Sequence, residues 1–593
     1  MTYTDAEQHA FIHADGISKQ PGTPLTSTTR YLSGAAYVDQ KYAEIVIDEM
    51  IGESHRAVAP ALGYDLVTII RHCFRAQRLW LRQNALLTLV LLVGAFVFTG
   101  PTVTLFVVCL LAYLFMPDRT RVRRKGRPAW QVVVGLLLVV GLGGCLFGPA
   151  AALLSIVGSG SFSGSSLGST YDSPAGSDST GSVVKFGLGL LAVVVGLMVV
   201  LTLHRYWMID IITTDLARGK PAGRLRPEAR EVEHRLGVVG AAQSGNIVLH
   251  AGFEPFVGAG ERINAWAVAT ELRARPPQGA EPGAGPGPRV DIDPNGLMHH
   301  LRHRLASMRG RDLPGPAQII GLQLRDQVVS SGTRWHDYPL IDDRTRLPYS
   351  FAEPATVEAI IRSPQTSARH FLRASVGAPD RAALGADGRT IMPAEHQSAI
   401  SSTFIHVAVE GGLLYVELVS TVLGPIRQAY LDIDRYSATD DRLSPAVGEA
   451  FRRFLGDVAV APFRLVRALY RRLTLIGAMH KADQEAAREP VYDFGSRIDV
   501  RELASRPSYA NYLQGLDAEK YTRLIDKRVT EAIDEYLVSQ GVDSADFVAK
   551  ANFYQYNNSA VVAGDVNGSI AVGMGAKASQ AGVTITTGQG RGV

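Results

Sequence analysis

ALLTLVLLVGAFVFTGPTVTLFVVCLLAYLFM, residues 85–116, contains no charged side chain. As one straight helix its 32 residues would rise about 48 Å, well beyond a hydrocarbon core of about 30 Å. Gly100 and Pro101 stand at its centre, and proline cannot donate the hydrogen bond that a continuing helix requires. The run therefore predicts a tight hairpin of two short spans, near residues 85–99 and 102–116. Two more charge-free blocks follow, 129–171 and 186–203. They predict a third span at 130–157 and a fourth at about 183–203.

The charges between these blocks predict their orientation. Arg71, Arg75, Arg78 and Arg82 precede the first span, and six basic residues between Arg119 and Arg127 separate the second from the third. Arg205, Arg218 and Lys220 follow the fourth, whereas the Ser/Gly tract 158–181 has neither Lys nor Arg. Basic residues concentrate on the cytoplasmic side, so both termini are expected in the cytoplasm of a multi-pass protein of the cell membrane. No span carries an ionisable residue in its middle, which argues against a coupled transporter. The spans read as an anchor or an assembly element, with the lipid bilayer as partner.

Outside the apolar blocks the chain is ordinary. It has 593 residues, 60 of them Lys or Arg and 56 Asp or Glu, for a net charge of +4. That balance gives no basic footprint for nucleic acid. The three cysteines have no zinc-site or disulfide spacing.

The expected fold class is α+β. A flexible N-terminus (1–29) leads into a cytoplasmic helical segment (30–83) and a four-span region (84–205). A cytoplasmic α+β domain (206–445) follows, with a disordered Pro/Gly linker at 275–290, then a helical extension (446–550) and a Gly-rich tail (551–593). Strands are expected at 247–250, 319–324, 357–361 and 371–376. The strongest local signal is TFIHVAVEGGLLYVELVSTVL, residues 403–423. Two glycines between β-rich runs suit a two-residue hairpin. Its register would set Val409 against Leu414, Val407 against Val416 and Ile405 against Leu418, with His406 opposite Glu417 as a cross-strand ion pair. Residues 449–480 form a basic amphipathic helix, which suits either an anionic membrane face or a sheet. Residues 517–540 form another, with a stripe from Tyr521 to Leu537 that suits a core or a homo-oligomer. The tail offers a second route to self-association.

Chemistry-bearing motifs are sparse. Residues 240–245 have phosphate-loop glycine spacing without its Lys and Ser/Thr. Residues 164–168 match G-x-S-x-G inside the Ser/Gly tract, where no strand precedes the serine. His299, His300 and His303 have helical spacing for a shared metal, and Asp291 and Asp293 could supply a carboxylate, but there is no HExxH glutamate and no nearby Cys; a solvated basic helix with Arg302 and Arg304 is the default. His336 and Asp337, near Trp335, Asp342 and Asp343, suit a polar loop. No catalytic residue, metal site or cofactor is predicted. The candidate ligand-binding loop is AGFEPFVGAGE, residues 251–261, through Phe253, Pro255, Phe256, Gly258 and Gly260.

Residues 30–79, 204–212, 245–260 and 403–423 together resemble a family of predicted four-span membrane proteins of high-GC Gram-positive bacteria, and the tail after Asn557-Asn558 resembles tails of other proteins from such bacteria. The resemblance covers most of residues 30–540. It implies the architecture and brings no catalytic residue with it. The expected function is binding, sensing or scaffolding at the cytoplasmic membrane face. The alternatives are a membrane-anchored enzyme of undetected class and a membrane-disrupting effector gated by the cytoplasmic domain. A pocket lined by two or more of Asp, Glu and His would favour the enzyme.

Overall fold

The computed structural model describes residues 11–12, 24–115, 178–275, 287–309, 319–379, 383–384, 390–392, 396–437 and 441–558, apart from residues 222, 224, 320, 508 and 510. The helical layer begins with α1 (Ser27–Val38) and α2 (Gln40–Ile47). Thr26 caps α1 by accepting from the Thr29 N–H, and Asp39 caps α2 through the Lys41 and Tyr42 N–H groups. Helix α3 (Leu66–Val97) then runs unbroken for 32 residues. It crosses the expected boundary at 83/84, so the last soluble helix and the first apolar segment are one element.

The chain breaks at Phe98, and α4 (Thr99–Phe115) begins at the next residue. The break falls before Gly100-Pro101, not at it. Pro101 lies in the first turn of α4, where the missing N–H costs nothing. Helix α5 (Asp178–Asp215) follows. Among the described residues two helices, not the expected four, are long and apolar enough to cross a membrane: Leu66–Val97 and Val184–Asp215. The apolar stretch Thr99–Tyr113 is shorter, rising only about 22 Å. The expected third span, 130–157, and the Ser/Gly tract up to residue 177 lie outside the described residues.

Three of the arginines that precede the first apolar segment have protein partners. Arg71 pairs with Glu233 at 2.6 Å, Arg75 with Asp215 and Arg78 with Glu228. These ion pairs tie α3 to the end of α5 and to α6 (Arg230–Ala242).

A six-stranded mixed sheet forms the second layer. Its strands are β1 (Ile247–His250), β2 (Glu261–Glu271), β3 (Leu322–Ser331), β4 (Ala368–Pro379), β5 (His396–Glu410) and β6 (Leu413–Leu423), in the order β1-β3-β4-β5-β6-β2. Only the β1–β3 pair is parallel. The β5–β6 hairpin has the expected register, including His406 opposite Glu417. Gly411 (φ 57°) and Gly412 (φ 74°) supply the left-handed turn. The ion pair does not form. His406 Nδ1 instead bonds the His370 carbonyl at 2.8 Å, and burial pushes the imidazole pKa down. Glu417 receives the Tyr415 hydroxyl.

One face of the sheet is sealed by α7 (Pro294–Ser307), α10 (Tyr512–Ser539) and α11 (Ala545–Asn558), with Leu301, Ile525, Val529 and Phe547 buried over Ile405 and Val416. The stripe of α10 is thus spent inside the chain's own core. Residues 357–361 belong to a helix, α8 (Pro354–Arg362), rather than the expected strand. Pro354 starts it, and Val357 and Ile361, four apart, are its buried contacts. Helix α9 (Leu443–Arg488) is 46 residues long and links the apolar helices to the sheet. The ends of the Pro/Gly linker are closed by Ala274 N–H to Pro288 O and Val290 N–H to Leu272 O. Residues 276–286, like the tail from 559 onward, lie outside the described residues.

Candidate functional site

The expected ligand loop closes over the second face of the sheet. Phe256 stacks between Phe371 and Phe404, with ring centroids 5.4 and 4.2 Å away. Gly258 (φ 81°) donates its N–H to Glu502 Oε2 at 2.8 Å, and burial pushes the Glu502 carboxyl pKa up. A Cβ on Gly260 (φ 82°) would stand 2.2 Å from the Val422 carbonyl oxygen, so only glycine fits that approach. Phe253 is 87% exposed. None of Phe253, Pro255, Phe256, Gly258 and Gly260 lines the cavity between the helical layer and the sheet.

That cavity, about 820 Å³, lies where the helical layer meets the sheet. Its size falls within the range for small-molecule sites. One wall is Thr26, Gly63, Tyr64 and Asp65, leading directly into α3; another is Gln243–Asn246 after α6. The remainder comes from Asn295, Met298, His299 and Arg302 of α7, Leu324–Asp326 of β3, and the start of α8. The joint between α1, α3 and α6 uses these same residues. Thr26 Oγ1 donates to the Gly63 carbonyl, and the Leu66 N–H at the head of α3 donates to Gln243 Oε1 at 2.8 Å. Tyr64 donates to Asp499 at 2.5 Å, and burial holds its hydroxyl well above the usual pKa.

Asp326 is the charged centre. His370 Nε2 lies 2.9 Å from its Oδ1, and Arg302 pairs with the same oxygen. Burial alone would raise this carboxyl, but the bonds from His370 and Arg302 outweigh it and hold the pKa low. Asp326 is therefore an anchor for two cationic or polar partners rather than a free base. Asp65 and Glu358 add negative charge, His299 and Arg325 positive potential, and Met298, Leu324, Val357 and Ile361 apolar surface. Such a lining suits a small polar ligand with an apolar part. Among the described residues of the lining no hydroxyl is hydrogen-bonded to a histidine.

Of the three clustered histidines, only His299 reaches the cavity. His300 sits against Tyr536 and 3.6 Å from Glu535, and His303 is exposed. No group of three or more His, Cys, Asp or Glu side chains among the described residues is placed to hold a metal. His336 faces Pro490, away from the cavity. Sequence reasoning missed Asp326 and His370, which stand 44 residues apart with no motif between them. The readable signal was Arg302, three residues after His299 and so on the same helix face.

The family model for an AbeC-like domain matches residues 265–571, just over half of the chain. The chain belongs to the AbeC-like domain family. No curated protein and no solved structure matches it significantly. The AbeC-like region begins within β2 and takes in β3–β6 and α7–α11. It supplies Asp326, His370 and Arg302, whereas the Thr26–Asp65 and Gln243–Asn246 walls lie before it. The cavity is thus a seam between the AbeC-like region and the segment that continues into α3.

Proposed function

We propose that the chain is a multi-pass protein of the cell membrane, crossing four times with both ends cytoplasmic, whose AbeC-like region senses a small ligand. The observation that carries the reading is the cavity wall, since residues 63–65 line it and the next residue starts a helix long and apolar enough to cross a membrane. Occupancy there bears on the head of α3 with no intermediary. The charge-free block at 129–171 and the arginine clusters support the topology, as does the resemblance to four-span proteins.

The test uses the full chain purified in detergent from its own membranes. A small molecule should co-purify with it and be lost when His299→Trp fills the cavity. Adding that molecule back should slow amide exchange at residues 61–68. A chain that carries no small molecule lost with His299→Trp would sink the reading.

A membrane-anchored enzyme is the second reading, favoured by Asp65, His299, Asp326 and Glu358 around one cavity. Turnover of the co-purifying molecule by the wild-type chain would select it. The pairing of Asp326 with Arg302 and His370 makes sensing the first choice.

A further inference from the structure

Helix α9 has two faces with different fates. Between Phe451 and Lys481 it carries seven Lys or Arg and a single acidic residue, Asp457. Its inner face is committed. Ala450, Val458 and Ala461 are buried against Leu87, Val193 and Leu201 of the apolar helices, and Arg471 pairs with Glu44 and Asp48 of the helical layer. The outer face is bare. Phe451 is 76% exposed, Val466 69%, Tyr470 67% and Leu473 72%. Set on a wheel of 3.6 residues per turn, Phe463, Val466, Leu469, Tyr470, Leu473 and Ile476 occupy an arc of roughly 140°. Arg467 and Arg472 mark its two edges and both are exposed; Arg467 also reaches Glu44 at 3.2 Å.

We infer that this outer face of α9 lies against an anionic lipid surface. Two observations choose the occupant. The face starts where α9 leaves the apolar helices, because residues 450–461 of α9 share one core with α3 and α5; Leu92 and Leu191 on those helices are also bare. The arginines flanking the apolar arc attract acidic headgroups, whereas the same arginines would oppose one another if two copies of α9 paired face to face. A contiguous apolar strip of this kind is not left facing water. Several α9 cations already have acidic partners, Arg464 in Asp457, Arg467 and Arg471 in Glu44 and Arg452 in Glu449, so Arg472 and the exposed side of Arg467 carry the attraction to headgroups. This inference rests on the membrane reading and is independent of the ligand cavity.

The test is quenching of a bimane label on the full chain in vesicles of phosphatidylcholine, with or without about a third phosphatidylglycerol. Labels go on Phe451→Cys, Val466→Cys, Leu473→Cys and, as a marker for the spans, Leu92→Cys. Cys145 is replaced by Ser, and Cys73 and Cys109 are buried. The expected result is that a lipid-attached nitroxide removes most of the emission at all four positions while aqueous iodide has little effect. Arg467→Glu with Arg472→Glu should then restore iodide quenching at Val466 and Leu473, but not at Leu92. Iodide quenching at the α9 positions with lipid quenching at Leu92 overturns the inference alone. Protection from both quenchers together with concentration-dependent crosslinking would assign the face to a second copy and also overturn it. Iodide quenching at Leu92 as well would remove the membrane reading beneath it.

Discussion

Asp526 holds a carboxyl where ionisation is costly. It is buried between α10, β2 and α11, with Trp266 Nε1 donating to Oδ1 at 2.9 Å and Gln555 Nε2 at 3.3 Å. Burial pushes its pKa up to about 6, and the two donors only partly oppose that. A carboxyl whose pKa is raised on folding favours the folded state when protonated. Its contribution to stability is therefore greatest below about pH 4 and falls as pH rises through about 6. A shift of about two pKa units corresponds to about 2–3 kcal/mol lost at neutral pH. Asp526→Asn keeps an acceptor for both donors and removes the charge. It should raise the thermal midpoint at pH 7–8, and the gain over wild type should vanish near pH 4. A gain that is the same at both pH values would show that the charge is not the cause. No local pattern marks this residue, because burial beside Trp266 depends on how α10 crosses β2. His406 marks the complementary limit: glycine spacing located it opposite Glu417, but the partner it bonds, the His370 carbonyl, belongs to β4, whose strand pattern was legible at 371–376 while its pairing with β5 was not.

The joint between α5 and α9 depends on a few buried charges. Arg205, 2% exposed, lies 3.3 Å from Asp457, which also holds Arg464 at 2.8 Å. Removing one member of such a set leaves the other buried without its counter-charge, at about 3–5 kcal/mol. Asp457→Ala should therefore lower the detergent-solubilised chain's thermal midpoint sharply, and Arg205→Met combined with Asp457→Leu should recover most of the loss. If the double variant is no better than the single one, the joint is held by packing alone. Pro462 adds to the reliance on side chains here, because it cannot bond the Val458 carbonyl four residues back. Elements of this kind were legible where periodicity was long. Helices near 449–480 and 517–540 and the β5–β6 hairpin stand as their patterns indicate. Residues 357–361 read wrongly because a five-residue segment with four apolar positions around Glu358 fits either period, and Pro354 at a helix start decided it.

At the scale of the molecule, the AbeC-like region is not separable from the helical segment that precedes it. Leu32, Tyr37, Tyr42 and Ile47 share one core with Ile426, Tyr430, Ile433, Met479 and Val500. Arg30, 1% exposed, reaches across to Asp434 and to the Leu216 carbonyl. Charge and hydropathy divide the chain into apolar and polar stretches, but they could not reveal that stretches some 400 residues apart close one core, and hence one cavity. The consequence can be measured. Residues 230–558 expressed alone would expose the apolar faces that α1 and α2 cover, so this fragment should bind a hydrophobic dye and aggregate. Supplying residues 24–65 as a separate chain should suppress both. The intact chain should lose its α1–α2 and sheet signals in a single transition, because neither part keeps its core without the other. Two well-separated transitions, or a soluble 230–558 fragment that binds no dye, would instead make the seam a docking interface between independent domains, and occupancy of the cavity would then act by drawing them together rather than by loading the head of α3.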